Sequence, residues 1–149
     1  MLLEFKTNDN LVNIMKEEEV LTEDYMRANS DTIDWYEISR YQTLSEDFVE
    51  EFQDEVDWGE ISWLQKLSED FIIKFQDKVN WHWISYQQKL SEEFMINYQD
   101  KLNWYNISGQ QKLSEKFILR FIDKLDIDKI LRTQDLDQET KEYLKLLKG

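Results

Sequence analysis

The sequence predicts an all-α chain of short helix–turn–helix units stacked as an α-solenoid, with degenerate capping helices at both ends. Three observations predict this. Trp35, Trp58, Trp81 and Trp104 stand 23 residues apart, and the neighbourhood of each recurs with it. Proline is absent and glycine occurs only at Gly59, Gly109 and Gly149, too few turn residues for a β-sandwich or barrel. Apolar residues recur at spacings of three and four, whereas a β-solenoid needs alternation at two.

Three stretches read almost alike: LSEDFVEEFQDEVDWGEISWLQK from Leu44, LSEDFIIKFQDKVNWHWISYQQK from Leu67, and LSEEFMINYQDKLNWYNISGQQK from Leu90. A fourth begins LSEKFILRFIDKLD at Leu113. Repeats of this length build quasi-one-dimensional stacks. One continuous helix is excluded, because its apolar face would rotate by about 140° per repeat and find no single partner.

Within residues 67–89, Ser68 is a good N-cap, and Glu69 and Asp70 oppose the positive end of a helix dipole. Leu67 at N′ and Ile72 at N4 have the spacing of a hydrophobic staple. Phe71, Phe75 and Val79 then share one face, which predicts a first helix over residues 69–79. Asn80 caps a second, shorter helix over residues 81–88, with Trp81, Ile84, Ser85 and Gln88 on one face and room for a 3₁₀ turn. Ser62, Ser85 and Ser108 are expected to bond back into their helices or to face a small gap, and Gln65, Gln88 and Gln111 to bond across turns.

The pattern continues in degraded form at both ends, as terminal repeats must. Residues 1–20 predict a capping helix with Leu11, Val12, Ile14 and Met15 on one face. The 23-residue repeats occupy residues 21–135: Leu21–Met26 aligns with Leu44–Val49, and Ile33 with Val56. Downstream, Asp126 and Ile127 replace Asn-Trp, while Ile130, Gln134 and Leu136 keep register. Residues 136–149 predict a C-terminal capping helix, with Tyr143, Leu144 and Leu147 as its apolar edge.

Composition narrows the function classes. With 41% hydrophobic residues among 149, the chain can bury one continuous core despite 34% charged residues. Cysteine is absent, which excludes disulfides and thiolate metal sites. No apolar h-region follows Met1 and no run approaches transmembrane length, so a soluble cytoplasmic protein without membrane contact is the expectation. The net charge of −14 is uneven: residues 1–66 hold 18 acids and 5 bases, residues 67–149 hold 14 and 13. An acidic half repels nucleic-acid phosphates and attracts basic protein surfaces.

No catalytic constellation is found, and no cofactor is expected. His82 is the single histidine, so neither a histidine triad nor a multi-histidine metal site can be built; its variable position reads as surface. No glycine-rich phosphate loop exists. Asp135, Asp137 and Glu139 lack the central glycine and spacing of a calcium loop, and a helix cap at Asp137 explains them better. Paired acids such as Glu69 and Asp70 sit in first turns, where dipole compensation accounts for them.

The unit (Asp/Asn)-Trp-x-x-Ile-Ser-x-x-Gln-x-Leu-Ser-Glu-x-Phe resembles a short tandem repeat of uncharacterised proteins from large DNA viruses, bacteriophages and bacterial mobile elements. The resemblance spans residues 21–134 and carries no shared activity. It implies a viral or mobile-element setting, in which small acidic proteins act as inhibitors of host nucleic-acid-binding defence proteins.

Internal comparison separates frame from face. Constant positions are expected in the core; aligned variable positions form a ladder, the usual binding surface of a solenoid. On the second helix these are Tyr36/Gly59/His82/Tyr105, Glu37/Glu60/Trp83/Asn106 and Arg40/Trp63/Tyr86/Gly109. On the first they are Glu50/Ile73/Ile96/Leu119 and Glu51/Lys74/Asn97/Arg120. Trp63, Trp83, Tyr86, Tyr36 and Tyr105 are aromatic anchor candidates, with inter-repeat gap filling as the alternative for the tryptophans. Glu37, Glu50, Glu51 and Glu60 are the acidic candidates, with a solvated face as the alternative. The expected function is a non-enzymatic protein-binding module whose acidic half blocks a basic, nucleic-acid-binding host protein, as a nucleic-acid mimic. The alternative is a self-assembling scaffold of homo-oligomers. Direct nucleic-acid binding is opposed by charge.

Overall fold

A computed structural model describes residues 20–148. The capping helix expected over residues 1–20 lies essentially outside the described residues. Among those described, the chain forms eleven helices and no strand. They are α1 (Glu23–Ala28), α2 (Trp35–Tyr41), α3 (Glu46–Glu51), α4 (Trp58–Leu64), α5 (Glu69–Lys74), α6 (Trp81–Gln87), α7 (Glu92–Asn97), α8 (Trp104–Gln110), α9 (Glu115–Arg120), α10 (Ile127–Thr133) and α11 (Gln138–Lys148). Successive pairs form units I to V, and α11 closes the described array. The second helices stack directly, α2 on α4, α4 on α6, α6 on α8 and α8 on α10, and α10 also meets the terminal α11.

Each expected cap is present. The Oγ of Ser45, Ser68, Ser91 and Ser114 accepts from the N–H three residues on, opening α3, α5, α7 and α9. Asp34, Asp57, Asn80, Asn103 and Asp126 do the same for the second helices. Isolated helices of six or seven residues are not stable in water, so packing must hold them.

The first helix is shorter than its periodicity predicts. It ends at Lys74, not Val79. Beyond it the Phe75 carbonyl accepts from both Lys78 N–H and Val79 N–H, closing a separate turn. The second of those bonds keeps the i to i−4 offset, so side-chain register runs on past the helix end and Val79 is still buried. The indole Nε1 of Trp81 donates to the Gln76 carbonyl at 2.9 Å and fixes this turn. Trp35, Trp58 and Trp104 hold Ser30, Gln53 and Gln99 in the same way. The second helix is α-helical throughout, without the 3₁₀ turn allowed by the sequence; Gln88 N–H returns to Ile84 O.

Four devices join each unit to the next. The tryptophan ring of one unit packs on the aromatic pair of the following one, as Trp58 does on Phe71 and Phe75 at 6.2 and 5.1 Å. A serine relay follows: Ser62 Oγ donates back to Trp58 O and accepts from Asn80 N–H of the next unit. Ser39, Ser85 and Ser108 repeat it. A glutamine ladder runs through the core. Gln65 Oε1 accepts from Leu44 N–H, and its Nε2 donates to Ser39 O and Gln42 O. Gln88 and Gln111 bond identically one and two units on. Finally, Glu46, Glu69 and Glu92 accept from both the backbone N–H and the Oγ of Ser68, Ser91 and Ser114. The backbone groups that short helices and turns leave over are thus satisfied by the neighbour.

The last helix corrects one expectation. Leu144 is buried, but Tyr143 and Leu147 are about half exposed and Leu146 is 79% exposed. The buried part of the apolar edge is therefore narrower than the sequence suggests, with Leu144 alone of the three expected residues fully covered. Among the described residues no helix is long and apolar enough to cross a membrane.

Candidate interaction surface

The frame above consumes the constant residues. Ile38, Ile61, Ile84, Ile107 and Ile130 are fully buried, and the repeated leucines at 44, 67, 90, 113 and 136 are buried beside them. What remains for a partner is the variable set, and the structure divides it by position.

On the second helices the third position does not point outward. It turns toward the preceding unit and makes a different contact at each step. Glu60 approaches Arg40 (3.8 Å). Trp83 stacks on Trp63, with ring centroids 4.9 Å apart and planes 16° from parallel. Asn106 Nδ2 donates to His82 O at 3.2 Å. Lys129 lays its Nζ over the Tyr105 ring at 3.2 Å, and its stem lies where a Cβ on Gly109 would meet it at 3.3 Å. Trp63 and Trp83 thus fill the inter-unit gap, though both remain half-buried at the surface beside Tyr86 and His82. Glu37 and Glu60 each keep one buried carboxylate oxygen without a hydrogen-bond partner. Tyr36 and Tyr105 are exposed, Tyr36 accepting from Arg40 Nη1 at 2.6 Å.

The first-helix acids are engaged as well. Glu51 pairs with Arg27 of the preceding unit at 2.7 Å, and Glu50 with Lys74 of the following one at 2.5 Å. These groups are substantially exposed, and such pairs contribute little, about 0.2–1 kcal/mol. Glu50 and Glu51 thus join neighbouring first helices through Lys74 and Arg27, while Glu37, Glu60, Trp63, Trp83 and Tyr86 lie on the second helices.

Two carboxyls are held below their ordinary values. For Glu23, burial pushes upward, but hydrogen bonds from Ser45 and the charge of Arg27 outweigh it. For Asp137, the Thr140 backbone N–H is the main cause, consistent with its role as the cap of α11. His82 is exposed, with Nδ1 within 3.4 Å of the Asn103 and Asn106 amides, and among the described residues no cluster of potential metal ligands occurs.

One column was not singled out by the sequence reading. Lys78, Lys101 and Lys124 each lie over the tryptophan of the preceding unit, at 5.9, 5.4 and 5.4 Å from Trp58, Trp81 and Trp104. Each also pairs with that unit's aspartate: Asp54, Asp77 or Asp100. In unit II the same position is Glu55. A cleft of about 450 Å³ opens there, lined by Ser30, Asp31, Ile33, Trp35, Phe52 and Glu55. The signal lay in the sequence as QDE where later repeats read QDK or IDK. Against protein-family models, curated proteins and solved structures, the chain finds no match.

Proposed function

We propose that the chain is a non-enzymatic protein-binding module whose acidic first half engages a basic surface of a nucleic-acid-binding protein and competes with the nucleic acid for it. The observation that carries this reading is the charge distribution: 18 acids against 5 bases in residues 1–66, on a frame shared with a balanced second half. Since the frame is common, the excess charge is not needed to build a unit. Long-range attraction of this kind speeds encounter and fades as salt rises. The phage, viral or mobile-element setting implied by the repeat's resemblance, and a host defence protein as the target, belong to the same proposal.

Affinity capture from a bacterial lysate at low salt, identified by mass spectrometry, tests it. Basic nucleic-acid-binding proteins are expected, released by about 0.5 M salt, where screening is nearly complete over a few ångströms. Replacing Glu37, Glu50, Glu51 and Glu60 by glutamine should leave the fold intact and lose the captured protein. Glutamine is preferred to lysine because it does not set like charges against Arg27 and Lys74. Recovery of no basic protein, or equal recovery by the glutamine variant, would overturn the reading.

A second reading, self-assembly, has one observation in its favour: Tyr143, Leu146 and Leu147 stand exposed on α11. Light scattering across a concentration series decides it, since a strict monomer at high concentration removes it.

A further inference from the structure

The cleft beside Trp35 has three sister sites in the same molecule, and each sister site has an occupant. Over Trp58, the Lys78 ammonium lies 5.9 Å from the ring and donates to Asp54 Oδ1 at 2.6 Å and to Gln53 O at 3.2 Å. Over Trp81 and Trp104, Lys101 and Lys124 lie 5.4 Å from the rings and donate to Gln76 Oε1 and Gln99 Oε1 at 3.0 Å. The aspartate and the backbone carbonyl that receive Lys78 have counterparts around Trp35, whereas the glutamine amide that receives Lys101 and Lys124 is replaced there by Ser30. Asp31 stands where Asp54 stands, and Ser30 O, which accepts the Trp35 indole N–H, stands where Gln53 O accepts both the Trp58 indole and Lys78. The occupant differs as well: Glu55 contributes a second carboxylate in place of an ammonium. Among the described residues no cation lies over the Trp35 ring.

An aromatic face with carboxylates beside it attracts a cation through the ring quadrupole and by direct charge. We propose that this cleft takes a lysine side chain of a basic partner protein, which completes in trans the contact that Lys78, Lys101 and Lys124 make in cis. The proposal deepens the basic-partner reading and rests on it for the source of the lysine. The chemistry of the cleft itself stands on the sister sites alone. A lysine is the occupant because its long apolar stem matches Ile33, Phe52 and the indole while its head reaches Asp31 and Glu55.

The test is a titration of the full ¹⁵N-labelled chain with Nα-acetyl-lysine methylamide, following the indole N–H resonances. The expected result is a saturable shift of the Trp35 indole, with affinity on the order of millimolar for one such contact. Trp58, Trp81 and Trp104 should move far less, and the norleucine analogue, lacking the ammonium, should leave Trp35 in place. Glu55→Lys should abolish the response by supplying the missing lysine in cis, while Glu55→Gln should weaken it several-fold and report on fold integrity. Equal movement of all four indoles, an equal effect of norleucine, or no Trp35 response would overturn the proposal. A response that appears only when Lys6 and Lys16 are replaced by alanine would overturn it too, by assigning the cleft to the chain's own N-terminal segment. Failure of lysate capture with a positive titration would sink the basic-partner reading and leave the cleft's lysine chemistry standing. Capture without a titration response would do the reverse.

Discussion

Units I and II carry a strongly negative sequence, whereas units III to V are nearly balanced, yet both ends use one set of joints. Gln65 in the first region and Gln88 in the second make the same three bonds. Ser39 and Ser85 run the same relay. Much of the difference lies outside the glutamine ladder and the relay serines, above all in the column that reads Glu55, Lys78, Lys101 and Lys124. It teaches that the shared joints hold the stack together while charge is varied largely beside them. In the balanced region Lys101 and Lys124 pair with the preceding unit's Asp77 and Asp100; in the acidic region Asp54 is paired by Lys78, while Asp31 faces Glu55 at the equivalent position.

The comparison can be broken most sharply at the glutamines. Gln65→Leu and Gln88→Leu each orphan one buried N–H and leave two carbonyls short of a donor, at about 3–5 kcal/mol. If the frame is common, chemical denaturation will return similar costs at both sites; a cost confined to one region would refute a shared frame. Next in size is Trp81→Phe, which keeps the ring stack on Phe94 and Tyr98 but loses the indole donor to Gln76 O, costing about 1–2 kcal/mol. Its counterpart Trp35→Phe should cost no more, because no lysine lies over that ring among the described residues.

Exchange within the lysine column gives a smaller effect of opposite sign in the two regions. Glu55→Lys should stabilise by about 0.5–1 kcal/mol through a new ring contact and an ion pair with Asp31. Lys101→Glu should destabilise by a similar amount and open a cleft at Trp81. Thermal melts of the two variants check the pair, and shifts of the same sign would end the argument. Smallest is the acid limb of stability. The Glu23 carboxyl is lowered in the folded state, so its contribution is complete above the ordinary carboxylate range and is lost as pH falls through the lowered value. Glu23→Gln should flatten that part of the stability–pH curve, a region-specific effect measurable by melts between neutral and acid pH.

The architecture was legible because capping is local chemistry. Ser68 before two acids, and Asn80 before Trp81, announce two helix starts in each unit, and both are where the sequence places them. The first helix's end was not legible, because the turn at Phe75 preserves the spacing of the apolar face. At the third position of the second helices the gap-filling alternative given for the tryptophans is the one the stacking bears out, and the sequence did not extend it to the other units. Variation there reads as freedom from packing, yet Arg40–Glu60, Trp63–Trp83 and Tyr105–Lys129 are paired variations across a joint. A single chain hides such pairing until the stacking offset is known. The glutamines were expected to bond across turns; that they bond across units needed the same offset.

That offset has a consequence for how the chain changes length. Every ladder connects a residue to another at a constant sequence separation, as in the glutamine bonds that span 21, 23 and 26 residues. An in-frame duplication of one whole unit therefore closes every glutamine, serine and glutamate ladder without a compensating mutation, whereas losing a single residue misaligns every ladder bond that spans the deletion. The array can lengthen or shorten in whole steps. Each third-position pair then serves as a barcode of the step that was copied, since a duplicated Trp63–Trp83 joint presents tryptophan where its new neighbour expects arginine or histidine.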